Sequence, residues 1–135
     1  MLINTLNNTI EILNSLIETT KTDIANIREA KHELVFQNTN KKEKLALEFS
    51  RLKSEIDKIL VTRNKPLEEI FTKEEEALFN TFREKLFEFN TLHRHFSKLA
   101  LSVANFYNTL MNKIKNTELI TYNDSFKNSN LRIKG

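Results

Sequence analysis

Three histidines and a few clustered carboxylates are the only side chains here that invite acid-base or metal chemistry, for the sequence has no cysteine and a single glycine. His93 and His95 lie two apart. On a helix that spacing turns them about 200° from one another, so they face different sides and cannot share a metal. Glu29 and His32 make one Glu-x-x-His pair, whereas a di-iron helical bundle takes two such pairs and two further glutamates. Glu74, Glu75 and Glu76 are consecutive and point different ways, the pattern of a solvated helix start. With no glycine-rich loop, no thiol and no convincing acid-base pair, the residues predict no catalytic centre, no metal and no cofactor.

What the chain has in abundance is apolar surface on helices. Pro66 to Glu118 contains no internal Gly or Pro and holds seven of the ten phenylalanines. Within it Leu92, Phe96, Leu99, Val103, Phe106 and Leu110 recur at alternating steps of four and three, which keeps them along one line of a helix. Ala100, Tyr107, Met111 and Ile114 broaden that line beyond a two-stranded coiled-coil seam. Such a stripe predicts a cover: the rest of this chain, a second copy as in a homodimer, or another protein.

The elements that would position the stripe can be read in order. Ile3, Leu6, Ile10, Leu13, Ile17, Thr20, Ile24, Ile27, Lys31 and Leu34 predict a first helix over residues 2–36. Gln37-Asn38-Thr39-Asn40 reads as the break, and Asn40 with Glu43 as a capping box opening a second helix over 41–63. Its seam is Leu45, Phe49, Leu52, Ile56 and Ile59. Pro66, followed by Glu68 and Glu69, suits the first turn of a third helix over 66–118. That helix has two places to be interrupted, the Thr72–Glu75 capping box and Asn90-Thr91, the latter giving a fourth helix. The expected fold is all-α: an elongated antiparallel bundle of three long helices with coiled-coil-like packing over residues 1–118, and a mobile tail over 119–135. At about 1.5 Å per residue the third helix outruns the other two near residue 90, leaving its most apolar part unsheltered.

Composition narrows the partners. At 135 residues one helical domain is expected, and a single Gly and a single Pro disfavour turn-rich folds. The formal charge of +3 is spread thinly: −2 over residues 1–37, +4 over 38–65, −1 over 66–118 and +2 in the tail. Lys41, Lys42 and Lys44 are interleaved with Glu43 and Glu48, unlike the dense basic stripe of a nucleic-acid footprint. Residues 1–9 lack the pattern of a signal peptide, and no apolar run approaches the roughly 20 residues of a membrane span. A soluble cytoplasmic protein with neither nucleic-acid binding nor membrane insertion is the expectation.

Two family resemblances carry function. His95-Phe96-Ser97-Lys98 resembles the His-x-x-Lys of histidine phosphotransfer bundles, in which an exposed imidazole accepts a phosphoryl group and the lysine one turn on holds its charge. That pattern continues with Gly where this chain has Leu99. The wider likeness covers most of the chain. Glu33-Leu34-Val35-Phe36-Gln37-Asn38 at the first break, the Lys44-Leu45 heptads through Leu52 and Ile56, Phe82-Arg83-Glu84-Lys85-Leu86 leading to Asn90, the Phe96–Leu110 run and a tail with Tyr122 together resemble the FlgN family of flagellar export chaperones. Of the asparagine pair common in the family's last helix, Asn90 matches the first, while the second is replaced around His93 or Arg94. The resemblance implies no catalysis. It implies capture of the C-terminal helical segments of the two hook-filament junction proteins, protection from premature assembly, and delivery to the membrane export gate of the type III secretion apparatus. The implied client-binding residues are Leu92, Phe96, Leu99, Val103, Phe106, Leu110, Met111 and Ile114, and the implied contact to the gate is Tyr122. A structural coiled-coil oligomerisation protein is the further alternative.

Overall fold

The structure, a computed structural model, describes the backbone of residues 1–125 and the side chains of residues 1–116. Three helices follow one another: α1 (Leu2–Arg28), α2 (His32–Arg63) and α3 (Lys73–Ser125). The all-α expectation holds, but the helix ends fall elsewhere than the sequence suggests. The chain also divides into two compact units, the first Met1–Ser97 and the second beginning at Lys98.

The first reversal lies at Glu29-Ala30-Lys31, not at 37–40. Ala30 takes φ 61°, its N–H donates to the Ile27 carbonyl, and the Lys31 N–H donates to the Asn26 carbonyl at 2.7 Å. These are the two bonds of a Schellman ending, with Ala where Gly is usual. Residues 37–40 meanwhile continue α2. Thr39 Oγ1 donates to the Val35 carbonyl within its own helix, and the Asn38 amide donates to Asp23 on α1, so both side chains are engaged without interrupting the helix.

The second connection corrects the expected start at Pro66. Asn64 closes α2 in a left-handed conformation, residues 65–72 form an irregular connection with turns and bends, and α3 starts only at Lys73, within the Thr72–Glu75 capping box. The Glu75 N–H donates to Thr72 Oγ1 at 3.2 Å, and the Thr72 N–H donates back to Glu75 Oε1 at 2.9 Å. Asn90-Thr91 is no joint. Thr91 Oγ1 donates to the Phe87 carbonyl at 3.0 Å and the helix runs through it, so no fourth helix forms there. Residues 119–125, expected in a mobile tail, continue α3, and the rest of that tail lies outside the described residues.

Within the first unit the contacts fix the helix directions. Asp23 meets Asn38 and Lys42, so α1 and α2 are antiparallel. Arg63 meets Glu75 and Phe49 meets Phe82, so α2 and α3 are antiparallel as well. Leu2, Leu6, Leu13 and Leu16 of α1 form a core with Ile56 and Phe82, walled by Phe49, Phe71, Phe79 and Phe89. The stacked pair Phe71–Phe79 has its ring centroids 4.8 Å apart, and Phe79 leads on to Phe82 at 5.7 Å. The buried line of α1 is Leu2, Leu6, Thr9, Leu13, Leu16, Thr20, Asp23 and Ile27. It shares Leu6, Leu13, Thr20 and Ile27 with the line read from the sequence, whose Ile17 and Ile24 are buried as well, while Ile3 and Ile10 are only half-buried beside it.

One tie holds the end of α2 to the start of α3. Arg63 donates through Nη1 and Nη2 to the two Glu75 carboxylate oxygens at 2.5 and 2.6 Å, and to the Ile70 carbonyl at 2.8 Å. Those guanidinium bonds, helped by the Thr72 N–H and opposed by burial, bring the Glu75 carboxyl from an ordinary 4.5 down to about 2. A depressed carboxylate contributes its stability in full above pH about 4.5 and loses it as the pH falls toward 2. Glu75→Gln is therefore expected to lower the unfolding free energy by about 2 kcal/mol at pH 7, a value reduced for the partly exposed Arg63. In urea titrations the gap between the parent protein and the variant should close between pH 4.5 and pH 2; a gap of constant size would contradict the assignment.

Candidate docking surface

Each unit has its own apolar features, and the proposed client-binding residues divide between them. In the first unit Leu92 and Phe96 are half-buried on α3. The face of the Phe96 ring is occupied by Lys42, whose Nζ sits 3.7 Å from the ring centroid. The same Nζ donates to Asp23 Oδ2 at 2.9 Å, and Asn38 Nδ2 donates to Asp23 Oδ1 at 2.8 Å. With its side chain only 1% exposed, Asp23 is a buried carboxylate held by one cation and one amide. Beside it lies a cleft of about 280 Å³ bordered by Leu16, Ala46, Phe89, His93 and Phe96. Leu92 and Phe96 thus help to close the bundle, and sequence periodicity, which registers only that they are apolar, does not separate them from the residues that follow.

In the second unit the stripe is open to solvent along much of its length. Leu99 and Val103 are half-buried, while Phe106 is 64% exposed, Leu110 40%, Met111 51% and Ile114 42%. Leu101 and Tyr107, absent from the candidate set, are exposed too, and Tyr107 packs edge-on against Phe106 with centroids 5.8 Å apart. Tyr107 follows Val103 by four residues and so belongs to the same side; Leu101 lies off the three-and-four spacing, which hides it from a periodic reading. Backbone hydrogen bonds within α3 need no partner, but the exposed apolar side chains on this surface are of the kind a helix–helix contact buries. Tyr122 falls on the α3 backbone, and its side chain lies outside the described residues.

The histidines are deployed separately. His95 Nε2 lies 3.0 Å from Arg28 Nη2; a guanidinium can only donate, so Nε2 is the acceptor and the ring proton sits on Nδ1. The ring nitrogen that would have to attack a phosphoryl group is thus engaged with a cation in this arrangement. His93 stacks on Phe89 with centroids 5.6 Å apart. Among the described residues no group of three or more His, Cys, Asp or Glu side chains is placed to hold a metal ion. Among the described residues, too, no helix is long and apolar enough to cross a membrane.

No family model, no curated protein and no solved structure matches the chain.

Proposed function

We propose that this protein is a cytoplasmic export chaperone of the flagellar kind, whose α3 captures the C-terminal helical segments of the hook-filament junction proteins and delivers them to the export gate. The observation that supports this reading is the solvent-exposed row Phe106, Leu110, Met111 and Ile114 on an unbroken helix. A client segment that stays apart from its assembly partners exposes an apolar helical face of its own. Laying it along this row removes both surfaces from water, at about 25 cal/mol per Å² gross. Ordering the client and losing its freedom offset most of that gain, which leaves an affinity from which cargo can be released. Tyr122 is the proposed contact to the gate.

Co-expression of the full chain with the C-terminal helical segments of the two junction proteins should give soluble one-to-one complexes by light scattering, while the segments alone aggregate. A stable homodimer that ignores both segments would instead identify a structural coiled-coil protein and overturn this reading.

A further inference from the structure

From Ala104 to Asn116, the last residue of α3 with a described side chain, every residue is exposed, whereas Leu99, Ala100 and Val103 just before them are half-buried. Helices in proteins owe most of their stability to a packed face, and one that packs against little stands on its local propensities. Here these are poor. Asn105, Asn108, Thr109, Asn112 and Asn116 crowd into the stretch, and side chains of this kind compete with the helix for backbone groups. The stretch continues a helix already formed in the first unit, so nucleation is no obstacle; propagation is. Tyr107 and Lys113 each make a further interaction, and one contact at an exposed position adds little. From this we infer that residues 104–116 pass between helical and open states in the free protein and are held helical by the client, so that capture and ordering are one event. The inference rests on the chaperone reading and adds the regulation of its site.

Such an element sets the affinity by its own closed fraction, since the apparent Kd rises as that fraction falls. A departing client lets the helix open again, which removes the surface that held it and opposes recapture. Closure and contact can be separated by substitution. Asn105, Asn108 and Asn112 stand roughly 120° or more around the helix from Val103, Leu110 and Ile114, so alanine there raises helix propensity on the side away from these stripe residues.

Amide hydrogen exchange of the full chain, resolved by NMR, reads the opening directly. The amides of residues 108–116 donate to carbonyls within the stretch. Without client they should exchange within about tenfold of unstructured rates, and those of Leu13, Leu16 and Ile56 in the core about a thousandfold more slowly still. Adding a C-terminal helical segment of a junction protein should slow residues 108–116 by about a hundredfold. The triple variant Asn105→Ala/Asn108→Ala/Asn112→Ala should slow their exchange in the free chain and tighten capture about fivefold in Kd. Free-chain protection above about a hundredfold, or a triple variant with the parental affinity, would overturn the inference and leave the capture of junction segments standing. A parent chain that opens as expected but captures neither segment is a different result: it removes the chaperone reading, and the closing step with it.

Discussion

Phe106→Asp is expected to weaken client capture by about two orders of magnitude while leaving the first unit as stable as before. The side chain is 64% exposed, so removing it empties no core. In the complex it would be covered, and a buried aromatic anchor is worth about 2 kcal/mol or more to an interface. The aspartate additionally has to be stripped of water against an apolar face, which brings the total near 3 kcal/mol and hence roughly a hundredfold in Kd. Helix propensity argues for little collateral damage, since Asp and Phe differ by only a few tenths of a kcal/mol at an exposed position. Isothermal titration with a junction segment, paired with a thermal melt, separates the two effects. Unchanged affinity with an unchanged melt would place the client elsewhere.

The second large effect concerns stability. Lys42→Met should cost about 3–5 kcal/mol, because it leaves the Asp23 carboxylate buried with only the Asn38 amide to satisfy it. The midpoint of thermal unfolding should fall by about 10 °C or more for a chain of this size. Asp23→Leu combined with Lys42→Met should recover most of the loss, since an apolar pair of similar volume has no charge to desolvate. Thr20 Oγ1, buried with no partner among the described residues, stays as it was in both variants and is no part of this difference. A single variant as stable as the parent protein would show that Asp23 gains its stability from some other source than Lys42.

These expectations show where sequence reading succeeds and where it stops. The Thr72–Glu75 box is legible because both partners stand three residues apart in the sequence and satisfy each other locally. The reversal at Ala30 is not, because nothing in an alanine announces a left-handed backbone, and the chain offers Asn38, Thr39 and Asn40 nearby as more obvious breakers. The inward line of α1 is hidden for a related reason. Thr9 and Asp23 look solvent-facing until their partners are known, and those partners are the Thr5 carbonyl for Thr9, and Asn38 and Lys42 on another helix for Asp23. Of the candidate stripe, periodicity registers apolar residues at helical spacing but cannot say that Phe96 is capped by Lys42 whereas Phe106 is open. Which apolar side chains are spare is a property of the packed molecule.

The short turn at Ala30 settles more than direction. Only three residues separate α1 from α2, and Asn38 and Lys42 stand 15 and 19 positions beyond Asp23, on the far side of that crease. Inserting a single residue there would swing every side chain of α2 by about 100° and carry both ligands away from the carboxylate. Greasy heptads alone tolerate sliding by whole repeats; a crease of fixed length and one ionic rivet do not. The hairpin is thereby indexed like a folded ruler, and an alanine held at φ 61°, at a cost of about 1 kcal/mol, is the mark at which it bends.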